Sequence, residues 1–362
     1  MHADDDELEQ LARNLRWRGP NPSQTRSLNV FMDQNNKCNL RCKSCGFSDP
    51  RVAALPKYDM PRWLFDRIAA EVFPHANYVC LSIMTEPFMT RDFPDRLSAV
   101  REAGVPFSEI ITNGTLLTEA SCRKIVAAGI TRVIVSIDGG TKEVFEELRV
   151  GATFERVLQN FELLRAIRAA EGSSSPQLRI NHVLSEVNVD HFDDFLRLVE
   201  RLGADEVAVR TISRMSNAIL QESQDALFWS KVETVRARLR SFCARTGIRD
   251  SAYLRNRPTL IELFMESGAK LLCPKPWDTL AIHPNGDAYV CMAWARPPLG
   301  NLAKETFEEI WNGAALAALR KEFEEVQAGV DCLNCTIRRS AIDDPDDDFF
   351  FQKLAKPAPL FV

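Results

Sequence analysis

Three cysteines, Cys38, Cys42 and Cys45, lie close together in the segment NNKCNLRCKSCGF. Thiolates bind iron and zinc, and three of them on one short loop suit an iron–sulfur cube whose fourth iron stays open to a small molecule. A closed structural zinc site needs four ligands, and the nearest histidine, His75, lies thirty residues further along the chain. The segment therefore favours a cube with one open iron over a zinc site.

A second group of four cysteines lies towards the C-terminus, at Cys273, Cys291, Cys332 and Cys335. The last two form a Cys-x2-Cys pair, and Cys291 follows an Asn-Gly dipeptide at 285–286, which is a strong hairpin signal. Four thiolates complete a metal site. By ligand number alone, a four-cysteine zinc site and a [4Fe–4S] cluster fit this group equally well.

The elements that position the first group follow a regular rhythm. From Ser27 onward, short β-rich runs alternate with longer amphipathic stretches, which is typical of βα units around a parallel sheet. Six units are too few for an eight-unit barrel, so the pattern predicts an α/β fold with an incomplete barrel or an open sheet. The first cysteine group follows the first strand directly, at the end where open α/β folds place their chemistry. The six predicted strands are residues 27–33, 77–84, 107–113, 131–138, 177–184 and 206–213.

The chain divides into four predicted segments. Residues 1–26 form a polar, helix-prone arm that ends in the breaker-rich sequence RGPNP. Residues 27–247 form the α/β domain, and residues 248–342 form a smaller α+β domain with a hairpin and two amphipathic helices. Residues 343–362 are an acidic run followed by aromatic residues, which we interpret as a tail.

Composition and charge limit the classes of function. The chain has 362 residues, of which 45% are hydrophobic and 26% charged, as in an ordinary globular protein. Its net charge of -5, without a basic stripe, argues against a nucleic-acid partner. We find no apolar run long enough to span a membrane, and the N-terminus MHADDDELEQ is acidic where a signal peptide is basic and then apolar. These features predict a cytoplasmic protein with no membrane partner, in which ten cysteines serve metal or redox chemistry rather than disulfides.

The Cys-x3-Cys-x2-Cys spacing after the first strand of a βα array resembles that of the radical S-adenosylmethionine (radical SAM) enzymes. The resemblance covers roughly residues 27 to 215. Residues 84–87, Met-Thr-Glu-Pro, resemble the family's Gly-Gly-Glu-Pro element, which binds the amino group of SAM in relatives. Both glycines are replaced here, so only Glu86 and Pro87 carry over. The resemblance implies a partial (β/α)6 barrel in which Cys38, Cys42 and Cys45 hold a [4Fe–4S] cluster that binds SAM.

Two further strand ends and one later position extend this resemblance. Asn113 ends the third predicted strand, and Ser136 and Asp138 end the fourth, where relatives line the SAM pocket. Arg149 lies one helix later, at a place where relatives often present a basic side chain to the SAM carboxylate. The resemblance therefore implies SAM contacts at these four residues and at Glu86.

The second cysteine group resembles the Twitch domain, a shortened SPASM domain that follows the barrel in some radical SAM enzymes. The shared features are the pattern Cys-x12-Gly-x4-Cys, the later Cys-x2-Cys pair and the flanking sequence GNLAKETFEEIWNG. In this family the domain holds one auxiliary [4Fe–4S] cluster. The resemblance thus implies that Cys273, Cys291, Cys332 and Cys335 bind a second [4Fe–4S] cluster, which gives two clusters and SAM as cofactors.

The family's chemistry implies a function. In relatives the reduced cluster cleaves SAM, and the resulting 5′-deoxyadenosyl radical removes hydrogen from an unactivated C–H bond. A fully ligated auxiliary cluster suits electron transfer, so the leading hypothesis is an oxidoreductase that dehydrogenates a small polar substrate such as a sugar or aminocyclitol. A flavodoxin or ferredoxin would supply electrons. Arg210, near the mouth end of the sixth strand, is the candidate substrate contact.

Three alternatives stay open at this level. One is a peptide-modifying enzyme that forms a thioether or carbon–carbon crosslink; such enzymes often carry a leader-binding domain, whereas 26 residues precede the first predicted strand. Another is a redox-neutral epimerase, which needs a thiol near the substrate. Cys80 is expected about 20 Å below the barrel mouth, from its strand spacing to Glu86, and Cys122 and Cys243 are predicted core residues. The last is a structural or sensing metal–cysteine protein without activity.

Overall fold

The computed structural model describes residues 26–212, 218–220, 223, 225–250, 275–291 and 297–324. These residues form one ten-stranded sheet with helices packed against it, in the order β10-β9-β8-β1-β2-β3-β4-β5-β6-β7. Strands β8 and β1 to β7 are parallel, and β9 and β10 continue the sheet in antiparallel pairing. The strands are β1 (Leu28–Met32), β2 (Ala76–Cys80), β3 (Phe107–Thr112), β4 (Arg132–Ser136), β5 (Gln177–Leu184), β6 (Glu206–Thr211), β7 (Arg249–Asp250), β8 (Thr279–Ile282), β9 (Asp287–Tyr289) and β10 (Gly300–Asn301).

Helices connect the parallel strands and cover one face of the sheet. The helix Glu119–Ala127, for example, begins after Thr118, which forms a capping box with Ser121, and ends before Gly129, which adopts a φ of +68°. The α-helices are α1 (Pro50–Ala54), α2 (Arg62–Val72), α3 (Phe93–Arg96), α4 (Ser98–Glu102), α5 (Glu119–Ala127), α6 (Lys142–Leu148), α7 (Phe154–Ala170), α8 (Phe192–Leu202), α9 (Ala226–Thr246), α10 (Lys275–Asp278), α11 (Phe307–Trp311) and α12 (Ala314–Glu324).

The two faces of the sheet differ in chemistry. Helix-facing strand residues such as Val30, Val133 and Val207 are fully buried in one apolar core. Because side chains alternate along a strand, the intervening residues point to the opposite, inner face. That face carries a row of charges, in which Arg132 lies between Glu109 and Glu206. The predicted partial α/β barrel is therefore confirmed, with a charged inner face and an apolar outer one.

All six predicted strands of the α/β domain exist, but β2 ends at Cys80 rather than at residue 84. The last ladder bond here joins the Leu81 amide to the Glu109 carbonyl at 2.9 Å. Beyond it, the amides of Ile83, Met84 and Thr85 donate to the carboxylate of Asp33 instead of to a neighbouring strand. A side-chain acceptor has replaced the ladder partner, and the strand pattern alone does not reveal that.

The distance of about 20 Å predicted between Cys80 and the barrel mouth assumed that the chain from Cys80 to Glu86 is an extended strand. That assumption is wrong, because β2 ends at Cys80. Cys80 is the last residue of β2, and its thiol is buried and donates to the Ser82 carbonyl at 3.0 Å. Cys122 lies in the apolar core as predicted, and Cys243 packs against it. The thiol of Cys80 thus lies near the carboxyl end of the sheet but is closed off by its own loop.

The smaller domain joins the same sheet. The β8–β9 hairpin turns where the Asn-Gly dipeptide predicts a turn: the Gly286 amide donates to the His283 carbonyl at 2.9 Å, and Gly286 has a φ of +87°. Strand β8 also pairs in parallel with β1, from Asn29 opposite Thr279 to Met32 opposite Ile282. The domain boundary between residues 247 and 248 stays a prediction; directly after it, β7 pairs with β6. Residues 251–274, the arm before residue 26 and the tail lie outside the described residues. Among the described helices, none is both long and apolar enough to cross a lipid bilayer.

His182 of β5 faces the helices rather than the inner face. Its ring stacks on Phe195 at a centroid distance of 4.0 Å, and its Nδ1 lies 3.0 Å from the Ile137 carbonyl. Its Nε2 is buried and has no hydrogen-bond partner among the described residues. Burial lowers the pKa of this imidazole to about 4. The neutral ring is therefore part of the core.

We expect this histidine to make the protein less stable as the pH falls. Between pH 7.5 and 5 the unfolded imidazole, with a pKa of about 6.5, takes up a proton that the folded one cannot accept. The unfolded state then binds more protons, so the wild type should lose about 2 kcal/mol relative to His182→Leu over this range. Urea unfolding at both pH values measures the difference. His191→Leu, at an exposed histidine on the same side of the barrel, is the control; equal pH slopes for the wild type and His182→Leu would contradict the assignment.

Candidate functional site

The three-cysteine loop lies between β1 and α1 and is held by the residues after α6. The amide of Arg41 donates to the Val150 carbonyl and that of Lys43 to the Leu148 carbonyl, both at 2.9 Å. Within the loop, the Cys45 amide donates to the Cys42 carbonyl at 3.0 Å. The loop is therefore fixed by backbone bonds, and its cysteine side chains are left for other partners.

The donor set of this loop fits an open iron–sulfur cube. Burial raises the pKa of Cys38 to about 12 and that of Cys45 to about 11, and the neighbouring thiols add to both shifts. Thiols in such a place become thiolates only when a metal compensates the charge. No three His, Cys, Asp or Glu side chains in the described ranges are gathered closely enough for one metal ion. A cube binds each cysteine on a different iron and does not require such a tight set.

Arg149 and Asp138 form a buried ion pair beside Cys42. The Arg149 Nε donates to Asp138 Oδ2 at 2.7 Å, and Asp138 Oδ1 accepts from the Val183 amide at 2.8 Å. Burial raises the pKa of the Cys42 thiol, and the nearby Arg149 guanidinium opposes the shift. The predicted SAM contacts at 138 and 149 are thus brought together at the cluster loop, where the arginine is oriented by its partner.

We expect Arg149→Met to destabilise the reconstituted protein by roughly 3–5 kcal/mol, because it leaves the Asp138 carboxylate buried and unpaired. Adding Asp138→Asn should recover part of that loss. Arg123→Met, which breaks solvent-exposed pairs with Glu119 and Glu171, should cost far less and is the matched control. Denaturant unfolding followed by circular dichroism measures all three. Equal costs for the two single variants would contradict a buried pair.

Glu86 lies in the loop after β2 with its carboxylate buried. Its Oε1 accepts from the Thr112 hydroxyl at 2.8 Å and from the Phe88 amide at 3.3 Å, and its Oε2 accepts from the Asn113 amide at 2.8 Å. Burial raises the pKa of this carboxyl to about 7, although these donors lower it. A cationic group next to Glu86 would favour its ionised form. Through its bonds to Thr112 and Asn113, the Glu86 carboxylate joins the loop after β2 to the end of β3.

Asn113 and Ser136 end neighbouring strands. The side-chain nitrogen Nδ2 of Asn113 donates to Asn39 Oδ1 at 2.9 Å and lies 3.9 Å from Cys38 Sγ, so this side chain contacts the cluster loop. Ser136 is half-buried at the end of β4, opposite Asn181 of β5. Both residues therefore lie at the carboxyl edge of the sheet, where the sequence places the SAM pocket.

The remaining predicted residues are placed less completely. Arg210 is exposed near the end of β6, opposite Val183. Cys291 is buried two residues after β9, and Cys273, Cys332 and Cys335 lie outside the described residues. Their assignment as cluster ligands stays a prediction on the sequence pattern.

Two features of the site escaped the sequence analysis. Asp33 follows β1, and its carboxylate accepts hydrogen bonds from the loop after β2. Its position just after a strand is like that of Asp138. A cleft of about 270 Å³ lies at the ends of β5 and β6, lined among others by Leu184, Thr211 and Phe228. The segment 218–220 borders both the cleft and the cluster loop, because the Leu220 amide donates to the Lys43 carbonyl at 2.8 Å. No sequence pattern indicated this contact.

A partial parallel barrel with three cysteines after its first strand and polar strand ends around them defines a radical SAM fold. The family models agree: residues 35–199 match the radical SAM superfamily, and residues 273–336 match SPASM, an iron–sulfur cluster-binding domain. The chain therefore carries a radical SAM domain and a SPASM domain, which are domains of a known class of enzymes. The two domains imply [4Fe–4S] clusters and SAM as cofactors, as predicted.

Individual relatives support this placement. An AdoMet-dependent heme synthase of Oleidesulfovibrio alaskensis is 27% identical over 180 residues, which cover 48% of this chain and 43% of that protein. The mycofactocin maturase MftC of Mycobacterium ulcerans is 26% identical over 318 residues, 82% of this chain and 77% of that protein. The crystal structure of Streptococcus suis SuiB bound to precursor peptide SuiA has a TM-score of 0.64 at 14% identity, covering 92% of this chain and 81% of SuiB. The chain spans about half the length of several curated relatives it matches.

Proposed function

We propose that the protein cleaves SAM reductively at the Cys38–Cys45 loop and removes a hydrogen atom from a substrate held over the ends of β5 and β6. The observation that supports this most directly is the convergence of strand-end side chains on the loop. Asn113 Nδ2 lies 3.9 Å from Cys38 Sγ, and the positive charge of Arg149 lowers the pKa of the Cys42 thiol against burial. When bound, the cluster and SAM supply the electron and the 5′-deoxyadenosyl radical that no side chain can supply.

The residues of the chain bind and orient SAM. Glu86 offers a buried carboxylate beside the loop after β2, where a cationic amino group gains most from it. Arg149, held by Asp138, offers a guanidinium to the SAM carboxylate, and Asn113 and Ser136 line the pocket between them. Because Glu86 and Arg149 have opposite charges, they fix the two ends of an amino acid moiety in one orientation.

The leading proposal for the reaction is dehydrogenation of a small polar substrate. The substrate loses a hydrogen atom to the radical, a proton to a base and an electron to the auxiliary cluster, which completes a two-electron oxidation. The cleft at the ends of β5 and β6 has both polar and apolar lining residues and borders the cluster loop. Arg210, at the end of β6, is the proposed substrate contact, and a flavodoxin or ferredoxin is the proposed electron donor.

Peptide modification is the second candidate. The relative that matches most of this chain's length among those described above is a maturase, MftC. A structure of similar fold, SuiB, is bound to a precursor peptide. We therefore retain a peptide as the alternative substrate for the same site and the same radical.

An anaerobic assay with dithionite tests the proposal. The reconstituted protein should convert SAM to 5′-deoxyadenosine and methionine, and the true substrate should raise that rate. Mass spectrometry of a panel of aminocyclitols, sugars and peptides then separates the two candidates by which compound is modified. A sugar or aminocyclitol lighter by two hydrogens supports dehydrogenation of a small substrate, whereas a peptide lighter by two hydrogens, as an internal thioether or carbon–carbon crosslink requires, supports peptide modification. Protein that contains zinc and no iron and leaves SAM intact would overturn both.

A further inference from the structure

The carboxylate of Asp33 accepts hydrogen bonds from three backbone amides of the loop after β2. Asp33 follows β1 and is buried, with 7% of its surface exposed. Its Oδ1 accepts from the amides of Ile83 at 2.8 Å, Met84 at 3.2 Å and Thr85 at 3.3 Å, and from the Thr85 hydroxyl at 3.0 Å. Its Oδ2 also lies 3.2 Å from the Met84 amide. One side chain thus fixes three consecutive peptide groups.

This arrangement determines where the carbonyls of the loop point. In a trans peptide the N–H and C=O groups point in opposite directions, and the peptide bonds of this loop are trans. The carbonyls of Ile83 and Met84 belong to the peptide groups whose amides donate to Asp33, so they point away from it. No donor in the described part of the chain reaches either carbonyl, or that of Thr85. The loop therefore presents unpaired acceptors next to Glu86.

The charge of Asp33 strengthens these acceptors. No lysine, arginine or histidine of the described residues forms an ion pair with Asp33, so its partners are neutral donors alone. A carboxylate that accepts from an amide polarises that peptide group and makes its carbonyl a better acceptor. A cation bound on the far side of the loop would compensate the buried charge through the same peptide groups.

We propose that Asp33 is a positioning residue that orients the Ile83 and Met84 carbonyls toward the amino group of SAM. Relatives have two glycines at these positions, and glycine backbone adopts unusual conformations easily. Here Asp33 would instead hold the backbone of Met84 and Thr85 in the required conformation. The inference rests on the proposed function, because it assumes that SAM binds at the loop after β2. It assigns a role to a residue that touches neither SAM nor the cluster.

The test compares Asp33→Asn with the wild type, both reconstituted with iron and sulfide. The substituted amide keeps the size of the side chain but loses the charge and replaces one acceptor oxygen with a donor. We expect the Kd for SAM to rise at least tenfold, while iron content and circular dichroism stay unchanged. The change that SAM causes in the electron paramagnetic resonance spectrum of the reduced cluster should require correspondingly more SAM.

A SAM analogue without the amino group separates positioning from general damage. If Asp33 acts through the carbonyls that bind the amino group, wild type and Asp33→Asn should bind this analogue equally. A purely structural role would weaken the analogue and SAM alike, and that result would overturn the proposal. Asp205→Asn is the matched control, since Asp205 also accepts a strand amide, from Leu178 at 2.7 Å, but at the opposite end of the sheet. It should leave the affinity for SAM unchanged.

Thr85→Val keeps the proposal testable should Asp33→Asn not fold. It removes one of the donors to Asp33 and leaves the carboxylate in place. We expect a rise of about threefold in the Kd for SAM, and an unchanged Kd would contradict the role of Asp33. If the wild type itself neither binds SAM nor forms 5′-deoxyadenosine, the proposed function fails. If the wild type binds SAM and the variants bind it equally well, only the role of Asp33 fails.

Discussion

A variant with Cys38, Cys42 and Cys45 all changed to alanine is expected to lose about half of its iron and all of its 5′-deoxyadenosine formation. The wild type should hold about eight irons, four at this loop and four at the second cysteine group, since each thiolate set suits one cube. Without the three thiolates no iron remains at the loop to bind SAM. Iron analysis and an anaerobic cleavage assay measure the two losses.

The control for this variant replaces the three cysteines that the site does not use. Cys80, Cys122 and Cys243 changed together to alanine should keep the iron content and SAM cleavage, although the loss of buried side chains lowers stability. Circular dichroism on both variants shows whether each is folded. Full SAM cleavage by a folded variant without the three loop cysteines would remove the basis of the site assignment.

A second large effect is expected at the auxiliary site. Cys335→Ala should keep SAM binding and some 5′-deoxyadenosine formation, while the oxidised product falls by orders of magnitude. Losing one thiolate changes the charge and potential of the auxiliary cluster or removes it, without touching the loop after β1. The substrate radical then has no acceptor for its electron. Product analysis by mass spectrometry, alongside the 5′-deoxyadenosine yield, measures the uncoupling.

Stability must be compared first, because the fold of a small metal domain can depend on its metal. Strand β8 of that domain pairs with β1, so unfolding there would reach the cluster loop. Thermal unfolding of Cys335→Ala against the wild type shows whether this happens. A folded Cys335→Ala protein that lacks the auxiliary cluster and forms product at the native rate would rule out the electron-acceptor role.

The local signals predicted the fold well because they depend on neighbouring residues. Alternating βα units predicted the parallel sheet, and Asn285-Gly286 marked the hairpin. The place where β2 ends could not be predicted in the same way. It depends on Asp33, which is distant in sequence from Ile83 and competes with the ladder for the amides of the loop.

The cysteine spacing by itself determined the class of chemistry, because ligands on one loop are fixed by local sequence and need no tertiary contact to be recognised. Once the resemblance was seen, the sequence also identified the side chains that surround the cysteine loop, namely Glu86, Asn113, Asp138 and Arg149. Only the tertiary structure decided how these side chains pair: Arg149 with Asp138, Glu86 with Thr112 and Asn113, and Asp33 with three amides of another loop. Such pairs join residues from different strands, and their geometry follows from strand order and register, which no local pattern encodes.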